Sequence, residues 1–582
     1  ESHPTYATSL SVLAGYYSKL GDYSKAVEFG TQALEIRKQV LGESHPNYAS
    51  SLNNLALYYS HLGDYSKAVE LDTQALEIFK QVLGESHPEY AATLDNLAGC
   101  YSNLGDYTKA IDLGTQAMKI CKQVFGESHP AYATTLGNLA GYYSNLGDYT
   151  KAVELGTQAM EIRKQVLGES HPDYATSLNN LSGYYSELGD YSKAVELGTQ
   201  AQEIRKQVLG ESHPDYATSL NILANYYCYS GNYSKAVELG MQALEIRKEI
   251  LGESHPAYAR SLNNLAQYYS YLGDYTKAVE LGTQALEIQK RVLGESHPDY
   301  ATYLNNLAEC YNRLGDYTKA LELGTQALKI RKEQLGESHP AYARSLNNLA
   351  LYYFHLGDYT KAVELGTQAM EIQKQVFGEP NFEYATSLSN LAGYYFKLDD
   401  YSKAVELGIQ ASEIRKRVLG ESHPDYAVSL SNLAGYYYYL GDYSKAVELG
   451  TQAMEILGES HPEYVTSLDN LATYNYLSGN YGDAYQLFLN CVQHTKEIVL
   501  SLFKEATNRT RETFWNKNKN EFTYLPSICL KAGDMESNGD VYDNSALFAK
   551  GLLLNAETSL RDLILESGDS AAVKQFDAMQ MI

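Results

Sequence analysis

The sequence is poor in several things, and each shortage removes a class of protein. Its six cysteines, Cys100, Cys121, Cys228, Cys310, Cys491 and Cys529, have neither the paired spacing of a disulfide framework nor that of a zinc site. A reducing, cytoplasmic compartment follows from that usage. No apolar run approaches the roughly 20 residues of a membrane span. Positive charge is scarce, with 46 Lys and Arg against 71 Asp and Glu and a net charge of −25. That balance excludes broad electrostatic binding to nucleic acid or to an anionic membrane. Strand-type alternation is missing, as are a glycine loop following a strand, a Ser or Cys nucleophile with a nearby base, and any carboxylate pair set apart. No catalysis, cofactor or metal is expected. The chain opens on ESHPTYATSL, already inside a repeated unit and without an initiator methionine, so the native N-terminus is expected upstream.

What the sequence has is one sentence repeated. The unit GESHPDYATSLNNLSGYYSELGDYSKAVELGTQAQEIRKQVL, from Gly168 to Leu209, recurs with its first glycine at Gly42, Gly84, Gly126, Gly210, Gly252, Gly294, Gly336, Gly378 and Gly420, a period of 42 residues. A last copy starts at Gly458, only 38 residues on. A fixed period signals a stack of small units sharing one continuous core, so the copies are the units to count, not domains.

Within a copy, Leu52, Leu55, Ala56 and Tyr59 fall at helical spacing and line one face of a first helix. "LGDY" interrupts it: Gly63 closes the helix in the left-handed conformation and Asp64 caps the next one. Tyr65, Ala68, Val69, Ala75, Leu76 and Ile78 form the apolar set of the second helix. The "SHP" corner restarts the cycle, with proline in the first turn, where its missing N–H costs nothing. Eleven of the fourteen histidines sit at these corners, one per copy, and read as capping residues and not as a metal centre. Gly30, Gly114 and Gly156, with Ala68 and Ala75, leave a small-residue strip for close packing on the second helix. A hairpin this short cannot bury its own apolar face, so it must stack on the next copy.

The series Leu55, Ala56, Tyr59, Gly63, Tyr65, Ala68 and Ala75 resembles the tetratricopeptide repeat, whose usual period is 34. The 42-residue period with "LNNLA" and "ALEIRKQVLGESHP" is similar to the subclass found in kinesin light chains and many bacterial repeat proteins. The expected fold is all-α, a right-handed superhelical α-solenoid of about twelve helix-turn-helix repeats over residues 1–497, followed by a helical extension over 498–582. The resemblance implies that one side of the first helix lines a concave groove holding a peptide or partner protein.

Near-identical copies are their own control: a position that varies while its surroundings stay fixed is not required by the hairpin. Three such positions lie four residues apart on the first helix and so share a side. One is Asn53, Asn179, Asn221, Asn263, Asn305 and Asn347 in six copies; the next includes Asn225, Gln267 and Glu309; the third, two places before the loop glycine, includes His61, Tyr229, Tyr271, Arg313 and His355. The outer residues of the second helix, Lys67, Glu70, Thr73, Gln74 and Glu77, scarcely change, so the variation is not general drift. Asn54 and Asn180 belong to a neighbouring series whose amides are suited either to a peptide backbone or to the adjacent repeat. Arg260 and Arg344 join Arg313, His355 and Lys397 to make copies seven to ten locally basic, which suits an acidic partner. The chaperone-tail clamp of some relatives is disfavoured, because the place of its asparagine is held mostly by Gly or Leu.

Two copies deviate. The tenth has the corner GEPNFEY and Asp399 in place of the loop glycine, where a bend is expected; the last lacks four residues between Ile456 and Leu457, one helical turn. Beyond about Thr495 the composition changes, with the lone Trp515, an inert glycosylation spelling at Asn508–Thr510, and an amphipathic stretch from Asp540 to Asp569. Residues Asn544 to Asn555 resemble the segment preceding a caspase-like CHAT peptidase domain, which implies that the chain is the recognition arm of such an enzyme. The other reading is a free-standing adaptor of the kinesin-light-chain kind.

Overall fold

The computed structural model describes residues 4–379, 381–458 and 464–502. Trp515, Cys529, the Asn508–Thr510 spelling and the expected Asp540–Asp569 helix lie outside the described residues. Among the described residues there are twenty-four helices and no strand. They pair as the repeat predicts: α1 (Pro4–Lys19) with α2 (Tyr23–Leu41), α3 (Pro46–His61) with α4 (Tyr65–Val82), α5 (Pro88–Asn103) with α6 (Tyr107–Phe125), α7 (Pro130–Leu146) with α8 (Tyr149–Leu167). Next come α9 (Pro172–Glu187) with α10 (Tyr191–Leu209), α11 (Pro214–Tyr229) with α12 (Tyr233–Leu251), α13 (Pro256–Leu272) with α14 (Tyr275–Leu293), α15 (Pro298–Leu314) with α16 (Tyr317–Leu335). The last four are α17 (Pro340–His355) with α18 (Tyr359–Phe377), α19 (Phe382–Lys397) with α20 (Tyr401–Leu419), α21 (Pro424–Leu440) with α22 (Tyr443–Leu457), and α23 (Tyr464–Ser478) with α24 (Tyr481–Leu502).

The punctuation works as the residue types dictate. Gly63 has φ +80°, and the Asp64 carboxylate accepts from the Lys67 N–H at 3.0 Å. At the other end of nine hairpins among the described residues the corner histidine caps the odd-numbered helix: His45 Nδ1 accepts from the Asn47 N–H at 3.0 Å, and His171 Nδ1 from that of Asp173 at 3.1 Å. An imidazole that accepts at Nδ1 carries its hydrogen on Nε2, which leaves that nitrogen free to donate.

The core is a row of identical layers. Leu52, Leu94, Leu136, Leu178, Leu220, Leu262, Leu304 and Leu346 are each 1% exposed, and each contributes about 1.5–3 kcal/mol by burial. The small-residue strip is as tight as its composition implies, since a Cβ on Gly114 would stand 3.0 Å from the Tyr142 ring. Behind it a polar seam ties repeat to repeat. Arg331 donates to Ser345 Oγ at 2.9 Å, to the Ala341 carbonyl at 2.9 Å and to Thr302 Oγ1 at 3.1 Å, all without a carboxylate. Arg205 and Arg247 do the same toward Ser219 and Ser261, each at 2.8 Å. Desolvation lowers the Arg247 and Arg331 guanidinium pKa values to about 10 and about 9.

The described residues divide into two compact units, one up to Ser429 and the other from Leu430 on. Inside the first, successive turns of the solenoid touch. His297 Nε2 meets the His61 carbonyl at 3.1 Å, His339 Nε2 the Asn103 carbonyl at 3.0 Å, and Asn381 Nδ2 the Leu146 carbonyl at 2.8 Å. Each contact joins the loop of one repeat to the corner of the sixth repeat after it, so about six repeats complete a turn. The irregular tenth corner keeps this pattern: Asn381 both caps α19, accepting from the Glu383 N–H at 2.8 Å, and reaches across to Leu146. Asp399 takes the left-handed φ of 60° that glycine holds elsewhere. In the second unit, α22 has 15 residues where α20 has 19, the missing turn read from the sequence, and Phe488 and Cys491 of α24 are buried within the last hairpin.

Candidate partner-binding surface

Exposure along the variable side of the odd-numbered helices rises toward the loop. The first of the three variable positions is the deepest. Asn179, Asn221, Asn263, Asn305 and Asn347 are at most 9% exposed. Their amides donate forward: Asn179 to Ser219 Oγ at 3.2 Å, Asn221 to Ser261 at 2.8 Å, Asn305 to Ser345 at 2.9 Å and Asn347 to Ser387 at 2.6 Å. Asn53, half-buried, donates to Thr93 Oγ1 at 3.2 Å. These asparagines complete the Arg–Ser seam and are held by the stack. Their burial departs from the ligand-facing reading: these amides are spent on joining one repeat to the next.

The middle position is half-buried in most copies. Asn225 Oδ1 accepts from the Tyr268 hydroxyl at 2.6 Å, Glu309 pairs with Arg313 at 2.9 Å, and Gln267 is half-buried between them in sequence. The third position is exposed in all twelve copies, Lys19 to Leu477. Tyr229 is 56% and Tyr271 42% exposed. These side chains form a ladder with the first tyrosine of the preceding repeat's second helix: His61 stacks on Tyr23 at 4.9 Å, Tyr271 on Tyr233 at 5.7 Å, His355 on Tyr317 at 5.1 Å, and Tyr229 lies 6.3 Å from Tyr191. Arg313 sits 4.3 Å over the Tyr271 ring. Although exposed, they are desolvated by their surroundings. Burial lowers the His61 and His355 pKa values, raises that of Tyr229 to about 12, and raises Glu187 with help from Glu383.

Asn54 and Asn180 are exposed; in two copies the equivalent amide reaches back instead, Asn138 to Asp95 at 2.5 Å and Asn306 to Asn263 at 3.2 Å. The basic residues of copies seven to ten do not gather on one surface. Arg313 is paired with Glu309. Arg260 and His61 line a cavity of about 750 Å³ between two turns, and Arg344 lines another of about 290 Å³ with Glu187 and Glu383. Touching turns are what sequence reasoning missed. The repeat unit is the same in every copy, so nothing in it marks which distant copy its loop will meet.

Two-helix units stacked by small residues, capped by Asp and His and closed by Gly, define an α-solenoid of tandem repeats. The tetratricopeptide repeat family model matches residues 5–81, 48–123, 89–165, 132–207, 199–249, 215–291, 272–333, 299–375 and 383–459, and the chain belongs to that family, a scaffold typical of protein–protein interaction. No curated protein matches the chain. Among solved structures it is similar to the nearly identical kinesin-light-chain TPR-like repeats of Podosopora anserina, at 31% identity over 35% of this chain and 97% of that one, with a TM-score of 0.31. It is also similar to BtubC (BKLC) from P. vanneervenii, at 27% identity over 39% of this chain and 89% of that one, with a TM-score of 0.32.

Proposed function

We propose that the chain is a non-catalytic interaction scaffold that holds a partner polypeptide along the concave, loop-proximal side of its odd-numbered helices. The observation that carries this reading is the third variable position. It is exposed in every copy, differs from copy to copy, and is rich in aromatic and charged side chains in repeats six to nine. Tyr and Arg are the residue types that concentrate binding energy at interfaces. The partner-facing set is therefore His61, Tyr229, Tyr271, Arg313 and His355, with Asn54, Asn180, Gln267 and Glu309 beside them. The second-helix outer residues owe their constancy to a different cause, since Lys67 pairs with Glu70 at 2.7 Å and the same pair recurs as Lys151 with Glu154. A photo-crosslinking residue placed at Tyr271 should capture a partner that the same residue at Glu77 does not; equal capture at both positions would refute the assignment.

The larger setting we infer is a peptidase arm: an array over 1–497, then residues 498–582 leading to a CHAT-type domain that the scaffold presents to its partner or holds in check. The stretch Asn544 to Asn555 supports it. The native reading frame past Ile582 decides the matter. An α/β segment of His and Cys motifs fits the arm, and a prompt stop codon leaves the free-standing adaptor.

A further inference from the structure

The cavity of about 750 Å³ lies between repeats 1–4 and repeats 7–8, within the first unit. Its walls hold the two core positions at which the array departs most from itself. Asp72 stands where the ten preceding and following copies from Gly30 to Gly450 have glycine, and Tyr303 stands where the others have Ser or Thr. These two deviations come from repeats 2 and 8, six repeats apart, so the superhelical turn brings them into one chamber. Asp72 is 1% exposed; its Oδ2 receives only the Cys100 thiol at 3.6 Å and its Oδ1 has no partner. Asp95 Oδ1 is likewise unpartnered, and Gln289, 3% exposed, donates through Nε2 to the Tyr303 hydroxyl at 2.9 Å while its Oε1 has no partner.

Packing alone does not account for Asp72. Cys100 replaces the tyrosine that fills this space in other copies, but the same replacement at Cys310 leaves its partner Gly282 as glycine. A smaller neighbour therefore does not call for a carboxylate. Desolvation raises the Asp72 pKa to about 7 and that of Asp95 to about 6, which marks carboxylates without a counter-charge. The other charged groups on the wall are Asp299 and Arg260, so the chamber is short of positive charge. Tyr23, Tyr65 and Tyr142 also line it, and its volume is that of a small-molecule site. No group of three His, Cys, Asp or Glu among the described residues is arranged to hold a metal ion. Carboxylates with tyrosine faces suit an organic cation.

We propose that this chamber binds an ammonium or guanidinium group, carried either by a free small amine or by a Lys or Arg side chain of a partner, with Asp72 and Asp95 as its counter-charges. This goes beyond the scaffold reading and does not depend on it. Titration calorimetry of the full chain at about 150 mM salt, with agmatine and with an otherwise uncharged peptide bearing one Arg, tests it. The expected result is a single saturable site for at least one probe, weakened at least tenfold in Asp72→Asn and Asp95→Asn and unchanged in the surface control Glu203→Gln, with all variants matching the parent in helicity. Agmatine binding identifies a free cation as the source, and binding of the peptide alone identifies a partner's side chain. Absence of a saturable site for both probes overturns the proposal. So does binding that survives Asp72→Asn, or that Glu203→Gln weakens equally, because either marks diffuse attraction to an acidic protein.

Discussion

The array contains its own double-mutant experiment at the repeat seam, and copying it from one pair of repeats to another tests the packing argument directly. Four junctions join neighbours by a buried arginine and a serine fourteen residues on, as in Arg331 with Ser345; repeats 7 and 8 use Gln289 and Tyr303 instead, bonded at 2.9 Å. Arg331→Gln removes three bonds, to Ser345, Ala341 and Thr302, and leaves the buried Ala341 carbonyl unmatched and Ser345 with only its bond from Asn305. At about 1–3 kcal/mol for each buried group left unsatisfied, and with a shorter amide recovering part of the loss, a cost of about 2–4 kcal/mol is expected. Ser345→Tyr alone sets a ring against a guanidinium that is 3% exposed, an overpacking cost of about 1–3 kcal/mol in addition to the lost Asn305 and Arg331 bonds. The double variant rebuilds the amide–phenol pair, so the two costs should fail to add by about 1–3 kcal/mol. Because a solenoid opens repeat by repeat, the readout is native-state hydrogen exchange of α17 amides relative to those of α5, not a single global melt. Additivity to within about 0.5 kcal/mol would show that the two pairs are not alternative solutions to one packing problem.

Two further outcomes probe the contact between turns. Gly105 and Gly273 both have positive φ, so alanine at either costs about 1 kcal/mol of backbone strain, but only at Gly105 does the new Cβ meet another turn, at 2.7 Å from Pro340 Cδ. Gly105→Ala should enlarge the radius of gyration seen by small-angle scattering, and Gly273→Ala should not. His339 has a folded-state pKa lowered below 6.5, chiefly by burial, so the stability it contributes is whole above 6.5 and is lost as pH falls through the folded value. Protection factors at the Asn103–His339 contact, corrected for the intrinsic pH dependence of exchange, should therefore fall between pH 7.5 and pH 5, and His339→Asn, which imitates Asn381, should remove that dependence.

The hairpin was legible because its signals are local. Asp64 caps the amides that follow it, Gly63 turns where it stands, Pro46 and His45 open the next helix, and the leucines recur at helical spacing. The lost turn of α22 could be counted from four missing residues. The candidate surface was half legible. Variation among copies singled out three positions on one side of the helix, yet it could not separate Asn179, whose amide is spent on Ser219, from Tyr229, which faces water, because about two turns of helix separate buried from exposed and repetition says nothing of depth. The seam histidines read as caps, which they are. That their second nitrogen grips a loop about 236 residues earlier depends on the pitch of the stack, a property of many small rotations added together.

Because each loop docks on a corner six copies later, stability here is not a sum over adjacent units alone. A fragment of six repeats or fewer would have no such contact. Gain or loss of one whole copy inside the array would slide every loop onto a different but nearly identical corner. The docking would survive such a slip almost unnoticed, whereas a chamber whose two walls are unique to repeats 2 and 8 would be dismantled, leaving Asp72 opposite a stranger.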